Sequence, residues 1–425
     1  MKTILIISPH FPPSNLAAVH RSRLFAQHLP SFGWKPIILT VHENYYEEKL
    51  DWNLQNLVPK SLLVEKVKAF KTTKPRLIGD IGLRAFFQLY KRAKQLIQEE
   101  KIDFLYIPIP SFYVALLGRW LHFSTGIEYG IDYIDPWVHY FPGSNKIFSR
   151  HWFTTKLATL LEPIAVKKAS LITGVAEGYY KDVLNRNPHL KSRVVSGAMP
   201  YGGEVSDHEM VNKLNVEPYL FKKNKLKFQL VYAGAMLPKA YGPLEKIFES
   251  IRDNTKIFSD TEFHFIGTGK LANDAHSYNI KALAERFGLW NTTVFEYPQR
   301  IPYIDVLVHL NAVNGVFILG STEPHYTPSK VYQAVLSKKP ILAVLHNEST
   351  AVKVIQQSFT GLVLSFAGEE DLDKINEQFA SVFNQYYNFC KSYSPESINR
   401  IAFDSYSAKA ITQQLSVLLE KALSV

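Results

Sequence analysis

The sequence predicts an α/β protein made of two tandem, doubly wound Rossmann-like domains whose strand ends face a cleft. Three observations carry this expectation. Short apolar runs alternate with amphipathic stretches of helical length, the pattern of parallel strands joined by crossover helices. The alternation stops between Met199 and Lys227 and then begins again. The 425 residues suit two or three domains at about 150 residues each, and 46% apolar with 20% charged residues describes an ordinary globular chain.

In chain order, Thr3 to Ile7 reads as a buried strand and Pro9 to Asn15 as a turn. Leu16 to Leu29 reads as a helix capped by Ser14 or Asn15, Gly33 as its stop, and Ile37 to Val41 as a second strand. Further strands are expected at Leu62 to Val67, Phe104 to Ile107, Glu128 to Tyr133, Leu171 to Gly174 and Arg193 to Ser196. A polar stretch ending in Lys222-Lys-Asn-Lys-Leu-Lys227 reads as the linker. Strands then resume at Gln229 to Ala233, Glu262 to Ile266, Thr292 to Phe295, Val316 to Leu319, Ile341 to Leu345 and Gly361 to Leu364. The expected division is a first domain over 1–205, a linker over 206–227, a second domain over 228–400, and a C-terminal helix over 401–425. That helix, with Ala410, Ile411, Leu415, Leu418, Leu419 and Ala422 at helical spacing, should pack back toward the first domain.

Composition narrows the function classes. The single cysteine, Cys390, excludes a Cys-based metal cage and an intrachain disulfide. The start MKTILIISPHFPP has too short an apolar run for a signal peptide, and Asp103, Arg119 and His122 interrupt the longest apolar stretch, so a cytoplasmic protein without a membrane span is expected. The formal charge of +10 admits an anionic partner. Residues 66–101 hold ten Lys or Arg against three acids, much of this on an expected helix from Leu83 to Glu100 with Phe86, Phe87, Leu89, Tyr90, Leu96 and Ile97 on its apolar side. This basic amphipathic helix reads either as peripheral contact with the inner face of a membrane or as the solvated face of a surface helix. No nucleic-acid partner is expected, because the basic stretch lacks the spaced aromatics of a base-stacking platform.

Ligands of open α/β sheets bind beyond the carboxyl ends of the strands, so the residues that follow strands are the candidates. Ser8-Pro-His-Phe-Pro-Pro-Ser-Asn15 leads into a helix carrying Arg21, a setting for an anion or merely a Pro-rich turn. Asp132-Tyr-Ile-Asp135-Pro-Trp137 ends a strand with two carboxylates and an indole, groups that suit a polyol but also serve as a loop cap and a core anchor. Phe263-His-Phe-Ile-Gly267-Thr-Gly269 fits a short dinucleotide pattern with Ala272, and Glu296 stands where a ribose-binding acid would be sought. The same glycines are needed wherever backbone turns tightly into a helix. In Thr327-Pro-Ser-Lys330, Thr327 is expected as N-cap and Pro328 as the first helical residue, which aims amides, the Ser329 hydroxyl and the Lys330 ammonium at one spot. That grouping is a diphosphate site in outline.

On these residues the chain resembles the family 4 glycosyltransferases, retaining enzymes of the GT-B fold. The likeness runs through ISPHFPP, RSRLFAQHLPSFGWKPIILT, DYIDPW, VYAGA and FHFIGTG to its most specific segment, TPSKVYQAVLSKKPILA. It implies an N-terminal acceptor-binding domain, with His10, Ser14, Asn15, Arg21, Asp132 and Trp137 as acceptor-binding candidates. It further implies a C-terminal domain for a nucleotide sugar, with Gly234, Gly267, Gly269, Thr327, Ser329, Lys330 and Gln333 as donor-binding candidates. The chain departs from the family at Gln333, where an acid holds the ribose hydroxyls, at Ala235, where many members carry an arginine, and at Ser14 and Asn15, which replace a Gly-Gly pair. At Gln333 an amide in place of the acid forgoes about 1 to 2 kcal/mol of charge assistance.

The chemistry expected is departure of a nucleoside diphosphate through an oxocarbenium-like transition state, with Lys330 and Lys239 stabilising the phosphate charge. Asp135 would orient or deprotonate the acceptor hydroxyl. Neither a metal nor a cofactor is expected. The partners implied are a nucleotide sugar and a glycan or lipid-linked acceptor. Two other readings stand beside it: a sugar-nucleotide-binding protein without turnover, suggested by Gln333 and Ala235, and a nicotinamide oxidoreductase using Gly267 and Gly269.

Overall fold

The computed structural model describes residues 1–73, 78–139, 146–214, 216–324 and 326–424. Of the basic stretch, Lys74 and Arg76 lie outside the described residues. The chain forms two compact units, Met1–Tyr201 with Ala408–Val425, and Gly202–Ser407.

The first unit holds seven strands: β1 Lys2–Ile7, β2 Trp34–Val41, β3 Leu63–Val67, β4 Phe104–Ile109, β5 Glu128–Tyr133, β6 Leu171–Gly174 and β7 Val195–Ala198. They make one sheet in the order β3-β2-β1-β4-β5-β6-β7, and every pairing is parallel. Alternation across the sheet sorts the apolar residues. Leu5, Ile7, Leu39 and Leu105 turn to one face, under the helices Phe86–Glu99, Ala115–Thr125 and Arg150–Val166. Ile4, Ile6, Ile38 and Tyr106 turn to the other, where the helix Ala408–Leu423 buries Ile411, Leu415 and Leu419. Burial on both faces is why these strands read as unbroken apolar runs.

The second unit repeats the plan with six strands: β8 Phe228–Ala233, β9 Thr261–Ile266, β10 Val294–Tyr297, β11 Gly315–Leu319, β12 Ile341–His346 and β13 Gly361–Phe366. Their order is β10-β9-β8-β11-β12-β13, again all parallel. In both sheets the winding reverses beside the first strand, between β1 and β4 in one and between β8 and β11 in the other. Each reversal opens a crevice at the carboxyl end of the strands.

Several expectations are corrected. Residues 206–227 are not a plain linker: Val205–Leu214 is a helix of the second unit, with buried Asp207 accepting from the Tyr303 hydroxyl at 2.8 Å. The division falls after Tyr201, and the second unit runs to Ser407 with a short helix Arg400–Asp404, so only the part of 401–425 from Ala408 onward belongs to the first unit. The first helix runs Ala17–His28 with Leu16 at its cap position and no side-chain cap. The basic helix breaks at Ala85 into Ile81–Arg84 and Phe86–Glu99. Its apolar side turns inward, with Phe86, Leu89 and Leu96 in the core and Phe87 left exposed. Arg84 is itself buried, donating to Phe70 O, Tyr45 O and Glu47.

Arg21 and Asp132 were expected to face an acceptor, and the fold uses them on each other. Both are buried, paired through Arg21 Nε and Nη2, while Arg21 Nη1 donates to Pro200 O at 3.0 Å and the Thr173 hydroxyl donates to Asp132 Oδ1 at 2.7 Å. Removing one member strands a charge in the core. Arg21→Met should therefore destabilise the first unit by about 3 to 5 kcal/mol, whereas Arg21→Met with Asp132→Leu should recover most of the loss. Urea denaturation of the three proteins measures both effects.

Candidate functional site

At the crevice of the second sheet, β8 ends at Ala233 and the chain turns at Gly234, which has φ +136. Lys330 opens the helix Lys330–Leu336 that follows β11. Its ammonium lies 3.5 Å from the centre of the Tyr232 ring and is fully buried, with no hydrogen-bond partner among the described residues. The ring face offsets part of the charge but supplies no counter-ion. Burial alone pulls the ammonium from its ordinary value of 10.5 down to about 7. A Cβ at Gly234 would stand 2.9 Å from this nitrogen, so the absence of a side chain there is what gives the ammonium room.

A second cation, Lys239, follows on the turn Pro238–Ala240, half-exposed and 3.5 Å from Glu323 Oε1 in the loop after β11. The backbone joins the same two loops, since Thr322 N donates to Lys239 O at 3.1 Å. The start of the Lys330 helix departs from expectation. Ser329, not Thr327, holds the cap position, without a side-chain bond, and the Thr327 hydroxyl instead meets that of Thr350 at 2.7 Å. Gln333 is already engaged, accepting from His208 Nε2 at 2.9 Å. Burial lowers the pKa of His208 despite that bond.

The Gly267-Thr-Gly269 turn does not open a helix, because the next helix begins only at Lys281. Glu296 explains the arrangement. Its buried carboxylate accepts from the Thr268 hydroxyl and from the amides of Asn279, Ile280 and Lys281, all at 2.8 to 2.9 Å. It caps the Lys281 helix, which takes away the ribose-binding acid that the nicotinamide reading requires.

At the crevice of the first sheet, the loop after β1 gathers His10, Ser14 and Glu48. His10 Nδ1 lies 2.9 Å from Glu48 Oε1, which also accepts from the Ser14 hydroxyl. Burial would raise the Glu48 carboxyl, but the hydrogen bonds from His10 and Ser14 and the His10 charge outweigh it and hold it at about 2. Asn15 is half-buried at the end of this loop. Asp135 keeps exposed surface beyond β5, and the protein around it pushes its carboxyl upward, partly countered by His139. Trp137 is a core residue, stacked on Phe112 at 6.1 Å. The acceptor role expected of it meets a side chain already covered.

The structure adds Tyr232, His208, Glu48 and Glu323, none singled out in the sequence. Tyr232 lies within the strand run VYAGA, one residue type among many that pack a sheet. The others act through partners far along the chain and leave no local signature.

No family model and no curated protein sequence matches the chain. Solved structures match over nearly its full length. A glycosyltransferase from Rickettsia africae is similar with a TM-score of 0.62 at 14% identity, covering 99% of this chain and 98% of that one. HepE of Anabaena in complex with UDP matches with 0.62 at 12%, covering 99% and 100%. Sucrose-phosphate synthase from Thermosynechococcus elongatus matches with 0.63 at 12%, covering 100% of both. At such identities the likeness establishes the fold, which is GT-B.

The depressed Lys330 ammonium makes a stability prediction. Between about 7 and 10.5 the unfolded chain binds a proton that the folded chain does not, so the cost of burying Lys330 is full below pH 7 and fades as pH rises to 10.5. Lys330→Met should thus be more stable than the parent near neutral pH, by up to about 4 kcal/mol, with the gap closing toward pH 10. Thermal midpoints across that range, with and without the substitution, measure the effect.

Proposed function

We propose that the chain is a glycosyltransferase that moves a sugar from a nucleoside-diphosphate sugar to a hydroxyl of a glycan or lipid-linked acceptor, with retention and without a metal. The observation that carries this reading is the buried ammonium of Lys330, which meets no counter-charge among the described residues at the crevice between β8 and β11. A diphosphate entering beside Gly234 supplies the missing negative charge. HepE, the Anabaena protein of similar fold, has been solved with UDP and with UDP-glucose, which supports a nucleotide-sugar donor here.

In this reading Lys330 and Lys239 carry the phosphate charge that grows as the sugar departs, so their attraction is larger in the transition state than in the bound donor. Gly234 admits the diphosphate, while Gly267 and Gly269 shape the neighbouring loop. The Thr327 and Ser329 hydroxyls add neutral donors. Gln333 reaches the ribose only by sharing or giving up its bond with His208. On the first unit, Asp135 receives the acceptor proton, and its raised pKa keeps it basic enough for that task. His10, Ser14 and Asn15 line the acceptor side, with Glu48 fixing the first two.

A second reading, a sugar-nucleotide-binding protein without turnover, draws on Gln333 being held by His208 and on Ala235 following Gly234. Binding of nucleotide sugars with neither transfer nor slow hydrolysis would select it.

Pairing with a diphosphate raises the pKa of Lys330 from about 7. Binding above pH 7 then requires proton uptake, so affinity should fall with rising pH by up to about tenfold per unit. Titration calorimetry with UDP in buffers of different ionisation enthalpy measures the uptake. Lys330→Met should weaken binding and abolish its pH dependence; an affinity indifferent to both pH and the substitution contradicts the proposal.

A further inference from the structure

The helix Arg150–Val166 is built inside out for a helix on the surface of a soluble domain. Its buried residues are Thr155, Ala158, Glu162, Ala165 and Val166. Val166 is buried and Leu161 packs partly buried against the core, but Phe153, Leu157, Leu160 and Ile164 are exposed, Leu160 at 65% and Phe153 at 53%. At 3.6 residues per turn these four fall within an arc of about 60°, opposite the buried set. The neighbouring helix Ala115–Thr125 exposes Trp120 and Phe123 as well, the latter at 82%. Single exposed apolar residues are unremarkable, but a stripe of four beside two aromatics marks a surface that meets something apolar.

Charge identifies the partner. The one acid of the helix, Glu162, is turned inward and bound by Arg186 Nε and Nη2 at 2.8 and 3.0 Å. The exposed charges on and just after the helix are Arg150, Lys156, Lys167 and Lys168, all positive; Arg150 and Lys156 lie within about 70° of the centre of the apolar stripe, and Lys167 and Lys168 follow in the turn at its C-terminal end. Arg119 sits 6.0 Å from the Phe123 ring on the neighbouring helix. An apolar ridge bordered by long cationic side chains matches a leaflet with acyl chains inside and anionic headgroups around them, the stems lying along the ridge and the charges reaching outward. No helix among the described residues is long and apolar enough to cross a bilayer, so the contact is peripheral.

We propose that this face of the first unit docks on an anionic lipid bilayer, inserting Phe153, Leu157, Leu160 and Ile164 between headgroups bound by the flanking cations. The membrane element expected within 66–101 is thereby moved to another helix, because the apolar side of Phe86–Glu99 is used by the core. The inference does not depend on the donor reading.

The test is co-flotation of the full chain with vesicles of phosphatidylcholine alone and of equimolar phosphatidylcholine and phosphatidylglycerol. The expected result is partition to the anionic vesicles, weakened by high salt, and reduced about tenfold or more by Phe153→Glu with Leu160→Glu while the thermal midpoint holds. Should that pair disturb folding, Lys156→Glu with Lys168→Glu must give the same loss. Absence of partition to the anionic vesicles overturns the proposal, as does partition that neither pair changes. A concentration-dependent dimer in light scattering that Phe153→Glu with Leu160→Glu dissolves also overturns it, making a second copy of the chain the occupant.

Discussion

A positive charge held away from water and left without an opposite charge among the described residues is the constraint on which the functional account rests. Three other buried charges are neutralised. Arg21 meets Asp132, Glu162 meets Arg186, and Glu296 is saturated by a hydroxyl and three amides. Lys330 alone of these has only the face of Tyr232. In the proposed function, the cost of this arrangement at the reversal point of a parallel sheet is offset when an anion arrives. Gly234 and the Lys239–Glu323 pair, in the loops on either side of that point, then acquire a common purpose.

The first unit shows the opposite economy. Arg21, Asp132 and Trp137 are committed to the fold, which leaves His10, Ser14, Asn15 and Asp135 among its expected acceptor-side residues. The outward apolar face of Arg150–Val166 is not used by the core, since the helix is seated on the sheet mainly through Thr155, Ala158, Ala165, Val166 and a neutralised Glu162. A soluble core asks for nothing more on that side.

How much of this could be read from sequence depends on the range of the interactions. Parallel strands buried on both faces announce themselves as apolar runs, so Glu128–Tyr133 and Leu171–Gly174 were legible to the residue. The last strand of the first sheet was placed two residues early, because its closing residues are small. Gly197 is small since a Cβ there would stand 3.0 Å from Leu418 on the C-terminal helix, a neighbour that the local pattern cannot reveal. The helix Val205–Leu214 reads as linker because polar residues anchor it, Asp207 to Tyr303 and His208 to Gln333, each partner about a hundred residues away or more. Arg21 and Asp132 looked available for the same reason, their pairing being invisible over 111 positions. The cluster around Lys330 was legible as a set of residue types; its burial, and the ring beneath it, were not.

The most direct measurement is the titration of Lys330 itself, followed by NMR of the protein labelled at lysine Cε. The account requires a midpoint near 7 in the free protein and a rise of a unit or more when UDP is added. A midpoint near the ordinary 10.5 in the free protein, or one that UDP leaves in place, would contradict it.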